Sequence, residues 1–418
     1  MVNFYKSNTI GIIIFLLSAV SLLVGFYFNE DLSTGGAAAD FEVTLNYKLA
    51  LKEHLLLGIT NSHLWTDEVP LHHLLTSRLL YLINDEYWLR FFFCNISILL
   101  PFLFYLNLKH KLNNLNQNTI LIFSSLIFIL PSFRYSAIWA NSNITALIFL
   151  LLSTFFFIRW EKSNNYNQLN LNLVLQTIFL SCAVYCRMEY SVIFLYFMII
   201  YFQKLDIKTF LKISTIVLIF SLPGFLMIYN IYNISSELST AHPMTFSSLF
   251  SLERFDDGIL VNSSIISFYL IPIFFFTLLN NKNFFLIKNK YTLLIAIIFS
   301  LAIVYLLSLS FNYNHKVGGG FFLKLSIFIL KNNFLFYLTS VIGLLLIIYL
   351  GLENKNNFIF LAILLIGFSG YSYSFQKYFE PLFLIVFFLL INSKISYEFL
   401  KNYKNLLHLY LYIFAYFI

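Results

Sequence analysis

The sequence predicts an all-α polytopic membrane protein, and three observations carry that prediction. Of 418 residues, 60% are hydrophobic and 20% aromatic, while only 11% are charged. A soluble domain carries about 25% charged residues, so this chain lacks the polar side chains to cover a globule of its size. Apolar runs close to the ~20 residues that cross a bilayer recur from end to end. Lys and Arg gather in the short stretches between those runs, where they fix membrane orientation. Soluble, disordered and fibrous classes are excluded. The net charge of +7 is read as orientation, so membrane lipids and no nucleic acid are the expected surroundings. The three cysteines, Cys94, Cys182 and Cys186, lie in or beside apolar segments. Their odd number argues against a disulfide framework or metal site.

In lipid each backbone group is satisfied within its own segment, so the apolar runs are helices. They cover 9–28, 91–108, 119–133, 135–158, 171–186, 190–203, 213–232, 263–280, 291–310, 332–351, 357–372 and 381–392. Residues 405–418 are a thirteenth span or a surface helix, so about 11–13 transmembrane helices are expected in a single transmembrane domain over 1–418. The first run follows Lys6, and Ala37-Ala38-Ala39 faintly resembles a signal-peptidase site. The run is nevertheless a full span, longer than a signal h-region, and reads as a retained helix. With Lys6 inside, 29–90 forms a first outer loop and Lys109-His110-Lys111 returns inside. That parity requires 70–83, which contains His72, His73 and Arg78, to lie on the outer leaflet rather than cross.

Between residues 29 and 68 the first outer loop holds Glu30, Asp31, Asp40, Glu42, Glu53, Asp67 and Glu68, seven of the chain's 19 acids. A Gly/Ala turn at 35–39 leads to Asp40. Phe41, Leu45 and Leu49 then recur every four residues, which predicts an amphipathic helix along the membrane with Asp40 at its N-terminus. A carboxylate there is either an N-cap or a general base for an acceptor hydroxyl. His72 and His73 with Asp67 and Glu68 suggest a divalent metal, but adjacent helical histidines point about 100° apart, so no cofactor is expected. Glu253, Asp256 and Asp257 form a second outer acidic cluster. Gly318-Gly319-Gly320 is either a flexible turn or a place where backbone N–H groups approach a phosphate.

Several motifs in order resemble the GT-C superfamily of membrane glycosyltransferases, in particular its protein mannosyltransferase, aminoarabinose transferase and Alg10-like groups. After a first span and an acidic motif comes Thr66-Asp67-Glu68-Val69-Pro70-Leu71-His72-His73, then Glu86-Tyr87-Trp88-Leu89-Arg90 opening the next span. Tyr135-Ser136-Ala137-Ile138-Trp139-Ala140-Asn141-Ser142-Asn143 and Gln376-Lys377-Tyr378-Phe379-Glu380-Pro381 resemble later motifs. The likeness covers about 9–165 well and 373–392 loosely. Phe41 separates Asp40 from Glu42 where the family often has adjacent acids, and His72-His73 replaces aromatics.

The resemblance implies an inverting transferase that moves a sugar from a polyprenyl-phosphate carrier to a glycan, lipid or protein acceptor on the outer face. Asp40 matches the catalytic base, with Glu42 as helper or substitute. Lys377 matches the lipid-phosphate ligand, with Arg187, Arg254, His315 and Lys316 as further candidates. Interfacial snorkelling is the plainer account of these last four. Asp67, Glu68, His72, His73 and Tyr378 lie in the motifs that would contact substrate. An AT-rich composition suggests a bacterial inner membrane and a periplasmic site. The competing readings are an O-antigen polymerase or ligase and a transporter or flippase. Transporters place ionisable groups near the midplane in repeated halves, whereas here charges cluster at span ends.

Overall fold

The computed structural model describes residues 2–33, 36–53, 71–163, 170–237, 255–280, 290–313, 318–370 and 374–417. All regular structure among them is helical. Among the described residues seven helices are long and apolar enough to cross a membrane, or up to nine if two bent pairs each count as one span. The chain is thus an all-α polytopic membrane protein. Several of the apolar runs expected among the 11–13 spans make shorter helices. Those at 171–186, 190–203 and 357–372 give 16, 14 and 15 residues. The residues fall into two compact units, Met1–Ile234 with Phe417–Ile418, and Ser235–Tyr416.

The first unit opens with α1 (Val2–Tyr27), α2 (Gly36–Glu53) and α3 (Leu71–Ile83). At 13 residues, α3 is not among the helices long enough to span. Next, α4 (Glu86–Ser97) and α5 (Leu99–Lys111) together form one 26-residue apolar stretch. It starts five residues before the expected run. The Asp85 carboxylate caps it by accepting from Trp88 N at 3.0 Å, and Glu86 complements the positive end of the helix dipole.

After α6 (Gln117–Ser125) and a 3₁₀ turn at Leu126–Ile129, the chain bends by 66° into α7 (Pro131–Ile138). Pro131 causes the break. It pushes Leu130 into an extended conformation, ψ 127°, and then serves as the first residue of α7. Ala140, at φ 47°, ends α7 before α8 (Ser142–Ser163) begins. The expected single run 135–158 is therefore two helices, because hydropathy is continuous across a turn that the backbone is not.

The unit closes with α9 (Leu171–Cys186), α10 (Ser191–Lys204) and most of α11 (Ile207–Glu237). Phe156 of α8 stacks on Phe179 of α9 with centroids 5.6 Å apart. At one end of this unit the basic turns meet. Lys204 pairs with Glu161 at 2.5 Å, and Lys162 Nζ donates to the His110 carbonyl. The other end carries α2, α3, α7 and the acidic start of α4.

In the second unit α12 (Phe255–Asn280) is the central helix, buried over most of its length. Around it come α13 (Lys290–Ser308), α14 (Gly320–Leu330), α15 (Phe334–Glu353) and α16 (Lys355–Ser369). Small residues let α12 and its neighbours approach closely. Ser264 bonds Thr339 at 2.9 Å, Ser340 Oγ donates to Leu260 O at 2.9 Å, and Asn262 Nδ2 donates to Ser369 Oγ at 3.2 Å. Such interhelical bonds substitute for the hydrophobic drive that lipid removes.

A short pair, α17 (Gln376–Phe379) and α18 (Leu382–Leu389), then bends by 100° into α19 (Lys394–Lys401), and α20 (Tyr403–Phe417) follows. Residues 382–391 are buried throughout. This explains an apolar helix too short to span: protein surrounds it rather than lipid. Asn357 holds the bend by exchanging hydrogen bonds with the Asn392 backbone at 2.9 and 3.0 Å.

Candidate functional site

Helix α2 starts at Gly36, one turn earlier than expected, so Asp40 is not its N-cap. Asp31 and Ser33 cap it instead. The Asp31 carboxylate accepts from Ala38 N at 2.9 Å and from Ser33 N at 2.9 Å, and Ser33 Oγ accepts from Ala37 N at 2.6 Å. Burial pushes the Asp31 carboxyl up, but these hydrogen bonds to its charged form outweigh it and the net shift is downward. The Phe41, Leu45 and Leu49 side of α2 does not rest on lipid. It packs on Leu79 and Leu80 of α3, Leu89 and Phe93 of α4, and Trp139. The periodicity predicted the helix correctly, while its cover comes from protein because α3 and α4 offer apolar faces of their own. On the same side Lys48 is buried, 4.6 Å above the Phe41 ring and donating to Thr44 Oγ1 at 3.1 Å.

Between α2, α3 and α4 lies a cleft of about 860 Å³. Phe41, Leu49, Leu80 and Trp139 form its apolar wall. Glu42, Asp85 and Glu86 bring carboxylates to it, and Lys52 and Arg90 bring cations. Asp40 is exposed and does not line it; two residues on, Glu42 does. The spacing explains the difference, since helical residues two apart project about 200° from one another.

Arg90 is held for contact with whatever enters. Its guanidinium lies 3.7 Å from the centre of the Trp139 ring. Nε donates to Ile138 O at 3.2 Å and Nη2 to Asn29 Oδ1 at 2.9 Å. Nη1 has no hydrogen-bond partner among the described residues. A guanidinium fixed along one edge and open along the other suits an anionic oxygen cluster.

Behind this wall Arg134, 8% exposed, makes a two-pronged ion pair with Glu30, Nε to Oε1 and Nη2 to Oε2 both at 2.6 Å. It also donates to Ser21 Oγ and Ser21 O at 3.1 Å. Trp139 Nε1 donates to Glu30 O at 3.1 Å. Sequence reasoning named Glu30 only as one acid among seven and passed over Arg134. An ionisable residue inside an apolar stretch is the signal that marks it.

The remaining candidates are placed elsewhere. His72 and His73 are each 1% exposed and do not line the cleft. His72 bridges Ala140 O at 3.0 Å and Thr145 Oγ1 at 2.9 Å, tying α3 to the start of α8. Both rings are packed among helices away from the cleft, His73 with its ring 5.1 Å from that of Tyr47 on α2. Arg187 pairs with Glu189 at 2.7 Å at the end of α9. Lys377 and Tyr378 belong to the second unit, with Lys377 Nζ 5.2 Å from the Phe375 ring. Gly318, Gly319 and Gly320 all have positive φ, near 75°, 84° and 74°, which only glycine adopts freely. The Gly319 N–H is taken by Ser374 O at 2.9 Å. Asp257 accepts from Asn312 N at 3.2 Å. Asp67, Glu68, Glu253, Arg254, His315 and Lys316 lie outside the described residues. No group of three or more His, Cys, Asp or Glu able to hold a metal occurs among the described residues. Comparison with known proteins finds no family model, no curated protein and no solved structure that matches this chain.

Proposed function

We propose that this protein is a membrane glycosyltransferase that moves a sugar from a polyprenyl-phosphate carrier to an acceptor hydroxyl at the outer face of a bacterial inner membrane. Glu42 serves as the base, in place of Asp40. The observation that carries this reading is the cleft at the acidic end of the Glu86–Lys111 span, where Glu42 and Arg90 line one cavity. Transfer needs both groups. A carboxylate takes the acceptor proton as its oxygen attacks the anomeric carbon. The bond from that carbon to the phosphate oxygen breaks, and a cation offsets the charge left on the phosphate. Basic turns at the opposite end of the span support a cleft on the non-cytoplasmic side, and on that side nucleotide sugars are absent and the donor is lipid-linked. A transporter reading draws on the two bent helix pairs, but the ionisable groups of this cleft sit at span ends.

The test is sugar transfer by the full chain in membranes, with a panel of polyprenyl-phosphate sugars as donors. Glu42→Gln is expected to lower kcat by about 10²–10⁴-fold, and Asp40→Asn to leave it within about threefold. Wild-type rates in Glu42→Gln would remove the base assignment. An inactive wild type across the whole panel would remove the reaction itself.

A further inference from the structure

Two residues that do not line the cleft hold its cation in place. We infer that Glu30 and Arg134 are positioning residues, whose buried ion pair sets the Trp139 ring and, through it, the Arg90 guanidinium.

The chain of contacts is continuous. Arg134 grips both carboxylate oxygens of Glu30 at 2.6 Å and fastens itself to α1 through Ser21. Glu30 is thereby pinned in the turn that follows α1, with its backbone N–H donating to Gly25 O at 2.9 Å. The same turn faces the cleft. The Glu30 carbonyl accepts from Trp139 Nε1, which fixes the ring, and neighbouring Asn29, at φ 50°, accepts from Arg90 Nη2. The Arg90 guanidinium carbon then lies over the fixed ring, 3.7 Å from its centre. Its other bond, to Ile138 O, goes to the residue just before Trp139. Both hydrogen bonds of Arg90 and its nearest ring therefore run to the Asn29–Glu30 turn or to the end of α7, while the Phe26 and Phe41 rings lie further off at 5.5 and 5.9 Å, and Arg134 joins those two pieces.

The packing leaves no slack. A Cβ on Gly25 would stand 2.5 Å from Glu30 Oε2 and 2.6 Å from Arg134 Nη2, so the space is already filled by the pair. A bidentate guanidinium–carboxylate contact fixes orientation as well as distance. That is what a positioning element requires, and lysine in place of Arg134 lacks the planar fork.

The experiment is fluorine NMR on the full chain labelled with 5-fluorotryptophan. Its four tryptophans are Trp65, Trp88, Trp139 and Trp160, and loss of a signal in Trp139→Phe assigns the resonance. In Arg90→Ala the Trp139 signal moves, because the cation over the ring is gone. In Glu30→Gln it is expected to move to the same position while the Trp160 signal stays, showing that the bundle is intact. A Trp139 signal that stays at its wild-type position in folded Glu30→Gln overturns the inference. Where loss of one charge prevents folding, the neutral pair Glu30→Gln with Arg134→Gln carries the same two outcomes without a lone buried charge.

A transfer assay adds an arm that rests on the proposed function. Glu30→Gln is expected to raise the donor KM and to lower kcat, about tenfold or more together in kcat/KM, because the displaced cation both binds the donor phosphate and offsets the charge left on it, and Glu30→Asp to recover part of the loss. A moved Trp139 signal with unchanged donor KM keeps the positioning role and rejects phosphate binding by Arg90.

Discussion

At the scale of single residues, the first helix cap is the most exposed to a direct test. The downward shift of the Asp31 carboxyl means that the folded chain favours its charged form. The stabilisation is therefore complete above the ordinary aspartate range and is lost as pH falls through the lowered folded value. Asp31→Ala is expected to cost about 1 kcal/mol at pH 7, the usual worth of an N-cap. The gap to wild type should close in thermal unfolding of the detergent-solubilised protein as pH is taken below the ordinary aspartate range. A gap that persists there would assign the loss to packing. The same stretch shows what was legible at this scale. The crowding of acids after α1 pointed to the loop that borders the cleft, and Glu42, which lines it, was named beside Asp40. Choosing between them required knowing where α2 begins, and that is set by Asp31 and Ser33 reaching four to seven residues forward. The pairing of Glu30 with Arg134 spans 104 positions, beyond any local pattern.

At the scale of elements, apolar runs reveal helices well and interruptions poorly. The break at Pro131 falls inside continuous hydropathy, as does the turn at Ala140, so both were absorbed into longer runs. The approach of α12 to its neighbours was equally hidden, because glycine in an apolar helix reads as ordinary. A Cβ on Gly343 would stand 2.0 Å from Ser263 O, and one on Gly258 2.4 Å from Ser369 O. In each case the obstacle is backbone, which cannot rotate aside. Gly343→Ala is expected to destabilise by about 1–3 kcal/mol, the cost of overpacking a filled interface. Gly224→Ala, with Tyr185 Oη at 3.4 Å as nearest neighbour, should be neutral or stabilising by up to about 1 kcal/mol through helix propensity. Thermal unfolding of both variants decides the matter: equal effects would mean that α12 and α15 are free to separate, and the small-residue packing would then be incidental.

At the scale of the whole molecule, the membrane class was legible, and which apolar helices cross was not. Charge poverty alone dictates a membrane environment, since it follows from surface area and not from any particular fold. A count of crossings needs to know which apolar helices face lipid, and residues 382–391 show why composition fails there: a strongly apolar segment is enclosed by its own unit. Orientation rests on the gathering of Lys109, His110, Lys162 and Lys204 at one end of the first unit, with the cleft at the other. That arrangement predicts a sidedness which is measurable without any substrate. Asn46 is exposed on α2 and Asn113 is exposed beyond Lys111, while Cys94 and Cys186 are buried and Cys182 partly so. In intact cells an impermeant maleimide should label Asn46→Cys and leave Asn113→Cys untouched until the membrane is opened. The reverse pattern would put the cleft in the cytoplasm, where nucleotide sugars are at hand. The case for a lipid-linked donor would then lose its physical basis, even with Glu42 and Arg90 placed as they are.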